Sequence, residues 1–295
     1  MDAKRNPTAE RNAVIGIAVA AVLGALLGWA GGDGGQEAGG WPVFALVTII
    51  AFAVNVLVFL PSFKAQTEHY YDLTGSFTYL SVTILAVILT SELDTRAVIA
   101  ALLVVVWAGR LGTFLFRRVK RAGGDGRFDR IKPSWVRFLM AWVVQGLWVV
   151  ITAGAALAAI TSGAKTDFGI LGVIGLVVWL IGFGIEVVSD NQKSAFKADS
   201  SNDGQFIDVG LWAWSRHPNY FGEITLWTGM AILALPALQG WQYATLISPI
   251  FVFLLLTRFS GIPMLEKRAD KKWGGQPDYE AYKSSTPVLI PRPPR

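Results

Sequence analysis

Residues 210–223 read Gly-Leu-Trp-Ala-Trp-Ser-Arg-His-Pro-Asn-Tyr-Phe-Gly-Glu, a polar stretch running straight into an apolar segment. Pro218 suits the first turn of a helix, where its missing N–H costs nothing. A helix that starts there presents free N–H groups and the positive end of its dipole to a nearby anion. Arg216 and His217 stand beside that end, and the Asn219 amide donates and accepts. Glu223 lies four residues after Asn219 and shares its helix face. At the start of a membrane span its charge avoids lipid, because burying it unpaired is expensive. The chemistry these types suit is recognition of an anionic ligand next to a held carboxylate. The plainer reading is an interfacial helix cap.

Three further clusters carry chemically useful groups. Ser189-Asp190-Asn191-Gln192-Lys193 is expected to end an apolar helix, with Glu186 one turn earlier on the same face as Asp190. Those carboxylates have no His or Cys beside them, so a metal site is not expected. The loop from Arg117 to Arg130, including Arg127, holds Gly123, Gly124 and Gly126 among its basic residues. It suits phosphates, and equally suits anionic lipid headgroups. Arg110 sits inside an apolar run and must snorkel or find a partner.

The elements that position these groups are membrane spans. Hydrophobic residues make up 53% of the 295-residue chain and charged residues 16%, against roughly 25% charged in soluble domains. A chain this apolar cannot coat a water-soluble surface, so soluble enzymes and nucleic-acid-binding modules are excluded. The absence of Cys removes disulfides, thiolate catalysis and zinc–thiolate sites. Apolar runs near the ~20 residues needed to cross a bilayer are read at 13–30, 41–60, 75–92, 97–116, 136–160, 168–188, 221–238 and 241–259. The expected fold is all-α, a polytopic bundle of seven or eight transmembrane helices, eight being favoured. Residues 1–40 form a basic head, first span and glycine-rich loop, residues 41–291 the main membrane domain, and residues 292–295 a mobile tail.

Lys and Arg cluster before the first span, between the fourth and fifth, between the sixth and seventh, and in the tail. The alternate loops hold Arg96 and Lys165. The positive-inside rule then predicts both termini and the long polar loops on the cytoplasmic side, in a bacterial inner membrane.

Arg216-His217-Pro218-Asn219-Tyr220-Phe221-Gly222-Glu223 resembles the signature of the steroid 5α-reductase C-terminal superfamily, above all its bacterial branch, the DUF1295 proteins. Tyr71-Asp72-Leu73-Thr74-Gly75-Ser76-Phe77-Thr78-Tyr79-Leu80, Arg110-Leu111-Gly112 through Arg127-Phe128-Asp129, Ser189 to Lys193, and Tyr279 to Pro291 resemble further segments of that branch. The Arg-His-Pro core alone is also shared with isoprenylcysteine and phospholipid methyltransferases. The resemblance implies a helical bundle holding NADPH in a cavity open to the cytoplasm. The nicotinamide hydride would pass to the β-carbon of an enone while a protein acid polarises the carbonyl.

On that resemblance Asn219 and Glu223 contact the cofactor, with Arg216, His217 and Tyr220 beside them. Ser189, Asp190, Lys193 and Lys197 lie at its adenosine and phosphate end. Arg110, Arg117 and Arg127 are further phosphate candidates, and Glu266, Tyr279 and Tyr282 belong to a tail folded over the cofactor. Eukaryotic steroid reductases hold the ketone with a Gln-Glu pair and a Tyr, and this sequence has no Gln-Glu dipeptide. The corresponding region offers Glu68 or Asp72 as the acid, its pKa raised by desolvation, and Tyr71 or Tyr79 to hydrogen-bond the carbonyl. The expected partners are a lipophilic substrate and membrane lipids. A methyltransferase using S-adenosylmethionine and a non-catalytic lipid-binding protein are the competing readings.

Overall fold

The computed structural model describes residues 7–122 and 126–294, the side chains at 117–122 excepted. Ten α-helices dominate the described residues: α1 Pro7–Gly32, α2 Val43–Lys64, α3 Tyr71–Leu89, α4 Thr95–Ala122, α5 Trp135–Thr161, α6 Gly169–Ala198, α7 Pro218–Ala234, α8 Ile247–Leu254, α9 Gly261–Trp273 and α10 Pro277–Ser285. A two-residue hairpin, β1 Glu37–Ala38 with β2 Trp41–Pro42, is the sheet between α1 and α2. Gly39 and Gly40 turn it at positive φ, as a tight hairpin turn requires.

Among the described residues, seven helical stretches are long and apolar enough to cross a membrane: α1, α2, α3, Thr95–Phe116 of α4, α5, α6, and Gly240–Trp273, which carries α8 and α9. The chain is an all-α polytopic membrane protein. The favoured eighth span corresponds to α7, whose 17 residues reach about 25 Å at 1.5 Å per residue, short of a core about 30 Å thick. α6 also departs from expectation. It does not end at Ser189–Lys193 but continues to Ala198, because Gln192, Lys193, Ala195 and Lys197 favour helix and carry it past its apolar part. Arg117 lies on the last turns of α4 rather than in a loop, with its side chain outside the described residues.

The chain divides into two compact units. The first comprises Met1–Gly169 and Ala234–Ile247. Its axis is α5, 89% of whose apolar window is buried. α1, α2, α3 and α4 all pack on it. The reason is in its sequence: Ala153, Gly154, Ala155, Ala156, Ala158 and Ala159 let neighbouring backbones approach closely, as packing in lipid requires. Asn55 of α2 donates to Thr78 Oγ1 of α3 at 3.1 Å, a buried interhelical hydrogen bond.

On the loop side, Arg96 at the start of α4 donates to the Asp167 and Phe168 carbonyls at 2.5 and 2.9 Å. Gln36 bridges the Glu92 and Ser162 carbonyls. The glycine-rich segment is thereby tied to the other connections of this unit.

The second unit comprises Ile170–Leu233 and Ser248–Arg295. Here α6 and α7 run antiparallel on paired glycines. Gly182 meets Gly222 and Leu226, and Gly175 meets Gly229 and Leu233. A Cβ at any of the four glycines would lie within 3.0 Å of the facing backbone.

Candidate functional site

Arg216 and His217 occupy the short connection into α7, in the second unit. The segment before them is fixed from several sides. Gly210 takes φ +61°, a conformation open to glycine, and its neighbour Leu211 donates its N–H to Gln192 Oε1 of α6 at 2.9 Å. The Trp212 indole donates to the Ser189 carbonyl at 3.0 Å. Lys193 places its ammonium 4.0 Å from the centre of the Trp212 ring, within cation–π range. The Tyr282 hydroxyl, on α10, donates to the Trp212 carbonyl at 2.8 Å, and burial pushes its pKa up.

The chain's end closes over the same segment. The Arg216 N–H donates to the Pro287 carbonyl, the Ser215 hydroxyl to the Leu289 carbonyl, and the Arg292 N–H to the Trp214 carbonyl. The expected tail is therefore tied down as far as Arg292.

Glu266 of α9 divides its two oxygens. Oε1 receives His217 Nε2 at 2.8 Å and Oε2 faces Arg216 Nη1 at 2.8 Å. The Tyr220 ring stacks on the His217 ring, centroids 5.7 Å apart and planes 11° from parallel. Gly261 leaves the room, since a Cβ there would strike Tyr220 and the Leu256 carbonyl. Burial lowers the His217 pKa against the opposing pull of Glu266. The ring is thus neutral near pH 7, with Nε2–H donating to Glu266 and Nδ1 left as an acceptor. His217 Nδ1 and Arg216 Nε are buried and without hydrogen-bond partners among the described residues.

Asn219, on the first turn of α7, donates to Asp190 Oδ1 of α6 at 3.2 Å. The glycine contacts explain this meeting. Gly222 abuts the Glu186 backbone, so α6 and α7 bring buried Glu186 and Asp190 alongside Asn219 and Glu223. Arg216, His217, Asn219, Tyr220, Glu266, Ser189, Asp190, Lys193 and Tyr282 are thus linked by contacts within one unit. Lys197 is exposed at the end of α6. Tyr279 is turned away, its hydroxyl donating to Asp270 at 3.0 Å among Phe206 and Trp273. Sequence reasoning missed Gln192, Trp212 and Ser215, whose roles are purely tertiary.

The candidates for the substrate end lie in the first unit and serve different neighbours. Lys132 Nζ donates to Glu68 Oε2 at 2.5 Å and stands 3.3 Å from Asp129. The hydrogen bond to Glu68 is the main cause of the raised Lys132 pKa. Glu68 is thus engaged with Lys132 in an ion pair. The Tyr71 hydroxyl donates to the Ala141 carbonyl of α5 at 3.0 Å, its ring against Phe128 and Trp142. Tyr79 is buried edge-on to Trp107 of α4, centroids 5.1 Å apart. The two tyrosines therefore address different helices. Asp72 is half-buried in the first turn of α3. Arg110 lies over Phe114 at 5.2 Å, and exposed Arg127 over Phe128 at 5.8 Å.

Fold and charged loops together define an integral membrane protein with a polar site built on the end of a helical pair. The family model described as protein of unknown function (DUF1295) matches residues 58–286, and the chain belongs to that family. It is 25% identical over 227 residues to an uncharacterised protein of Schizosaccharomyces pombe, covering 67% of this chain and 64% of that one. It is also 28% identical over 117 residues to the Bos taurus 3-oxo-5-alpha-steroid 4-dehydrogenase 1, 40% of each chain. The matches thus span less than two thirds of either relative. No solved structure matches significantly.

Proposed function

We propose that this protein is a membrane reductase that draws a hydride from NADPH to saturate the alkene of a lipophilic enone. The observation that carries the reading is the buried pair of uncommitted groups, Arg216 Nε and His217 Nδ1, beside the N-terminal end of α7. A buried guanidinium donor without an acceptor is costly, and a phosphate oxygen is the acceptor that guanidinium geometry suits. The free N–H groups at the start of a 17-residue helix add to the same potential. The 28% identity over 40% of the chain to a 3-oxo-5-alpha-steroid 4-dehydrogenase points the same way.

In this reading Glu266 holds Arg216 and His217 in register for the dinucleotide phosphates. Asn219, kept in place by Asp190, offers its amide to the nucleotide along with Glu223. Lys193 and Lys197 supply positive charge along the last turns of α6. The bound cofactor supplies the hydride. Asp72 and Glu68 are the acid candidates, and Glu68 also holds Lys132. The clustering of Lys and Arg in alternate loops supports a cytoplasmic site, and a short eighth crossing by α7, antiparallel to α6, would keep both termini on that side.

Thermal shift of the detergent-purified chain tests the reading, with NADPH, NADP⁺ and S-adenosylmethionine in parallel. Ligand at a hundred times its Kd should stabilise by about 2.7 kcal/mol. NADPH should do so and Arg216→Gln should remove the effect. Stabilisation by S-adenosylmethionine alone would move the protein to the methyltransferases, and indifference to all three would leave a lipid-binding protein.

A further inference from the structure

α9 presents two faces of opposite character. One is spent on the protein. Ile262 is buried, and Glu266 holds Arg216 and His217. Asp270 accepts from Lys283 Nζ at 2.6 Å and from the Tyr279 hydroxyl at 3.0 Å, and the Trp273 indole donates to the Gly204 carbonyl at 2.5 Å. These positions recur every three or four residues, as one side of a helix does. Met264, Lys267, Arg268 and Lys271 recur in the same way on the other side, and all four are exposed. Lys267, Arg268 and Lys271 make no hydrogen bond or ion pair among the described residues.

This bare face begins where a membrane span ends. Gly240–Trp273 is one stretch long and apolar enough to cross, and its last exposed large apolar side chains are Phe259 and Met264. At 1.5 Å per residue, Lys267 and Arg268 lie no more than about 6 Å beyond Met264 along the helix, and Lys271 no more than about 11 Å. The headgroup layer on each side of a bilayer is about 5–7 Å deep, and the long stems of Lys and Arg reach back toward it. Charge alone satisfies the positive-inside rule. That rule does not ask the cations to share one face, follow exposed apolar side chains and stay unpaired while Asp270 of the same helix pairs on the other face.

We infer that the bare face of α9 is a docking surface for the headgroups of anionic phospholipids, with Lys267, Arg268 and Lys271 at the phosphates and Met264 at the acyl border. Guanidinium and ammonium groups suit phosphate oxygens, and each cation beside an anionic bilayer contributes roughly fivefold in association. Glu266 projects from the opposite face of the same helix, so docked headgroups brace the element that orients Arg216 and His217. The surface needs no cofactor and stands apart from the reductase reading.

The test uses the full chain in nanodiscs of phosphatidylcholine alone and of an equal mixture with phosphatidylglycerol, with amide hydrogen exchange read peptide by peptide. Phosphatidylglycerol should slow exchange across residues 261–273 at least about fivefold more than at the other helix ends, and high salt should abolish the difference. The triple variant Lys267→Gln/Arg268→Gln/Lys271→Gln should lose the response. It should keep its melting temperature in phosphatidylcholine, because the three side chains are exposed and unpaired among the described residues. If it melts early, Arg268→Gln alone carries the test with a smaller loss. Arg11→Gln/Lys64→Gln, which removes two other exposed cations, should respond as wild type does. Glycerol phosphate added to phosphatidylcholine discs should have no effect. Exchange in α9 unmoved by phosphatidylglycerol, or slowed equally in the triple variant, overturns the docking surface. Equal slowing by glycerol phosphate overturns the lipid as its occupant and makes the face a site for a soluble phosphate.

Discussion

His217 and Glu266, forty-nine residues apart in sequence, meet at 2.8 Å through Nε2 and Oε1. The contact leaves the other imidazole nitrogen buried and uncommitted. Since Glu266 Oε2 also faces Arg216, one carboxylate orients two groups that both adjoin the start of α7.

Removing that carboxylate should therefore do more than delete a contact. Glu266→Ala leaves the Arg216 charge, 10% exposed at its side chain, without its counter-ion. Breaking a buried pair typically costs about 3–5 kcal/mol, and the partial exposure of Glu266 reduces that toward about 2 kcal/mol. Denaturation of the purified variant should register this loss, while Glu266→Gln, which keeps an acceptor oxygen for one neighbour but turns a donor NH2 toward the other, should recover only part of it. Equal stability of both variants with wild type would show that the pair is idle.

The depressed pKa of His217 makes stability depend on pH in a definite sense. Its folded pKa lies below the ordinary 6.5, so the unfolded chain takes up the proton first as pH falls. The stability this group contributes is complete above about pH 6.5 and is lost as pH drops through the folded value. Melting temperatures measured from pH 7.5 to 5 should fall more steeply for wild type than for His217→Gln. An anion beside Nδ1 reverses the preference, so NADPH binding should draw in protons and tighten toward pH 6. Parallel pH curves for wild type and variant would remove His217 from this role.

The spans were legible because a bilayer imposes length and hydropathy on every crossing segment, and even the Ser- and Thr-rich third run forms α3. There the hydroxyls of Thr74 and Thr78 turn back onto the Tyr70 and Thr74 carbonyls, which makes them tolerable in lipid. Pro218 also marked its helix start correctly. What a sequence cannot display is a partner chosen by tertiary packing. Nothing in the local pattern around Tyr71 tells that its hydroxyl goes to the Ala141 carbonyl, or that Glu68 is claimed by Lys132. One signal was available and unread: Gly175 and Gly182, and Gly222 and Gly229, recur at seven residues, which places each pair on one helix face.

Those glycines yield a prediction with its own control. Gly182→Ala or Gly222→Ala pushes a methyl group into the opposing backbone, which should separate α6 from α7 and cost about 1–3 kcal/mol. The same shift would loosen the Asn219–Asp190 contact, so cofactor affinity should fall along with stability. Gly184→Ala, two residues from Gly182 but with nothing within 4 Å of the added carbon, should be neutral or gain about 0.5–1 kcal/mol from helix propensity. If all three variants behaved alike in unfolding assays, the close α6–α7 approach would be wrong.

Glu68 and Asp72 are separated by a related comparison. Lys132→Met removes a counter-ion of Glu68, whose side chain is 5% exposed, and should destabilise by about 1–3 kcal/mol. The double variant Glu68→Gln/Lys132→Met removes both charges and should recover at least about 1 kcal/mol of that, a coupling that a double-mutant cycle isolates. Because Glu68 is committed to this ion pair, Glu68→Gln should change stability while leaving the turnover of a reducible enone within a factor of about three. Asp72→Asn should lower turnover by about 10²-fold or more. The opposite pattern, with Glu68→Gln inactive and Asp72→Asn active, would return the proton donor to Glu68 and make Lys132 the group that tunes it.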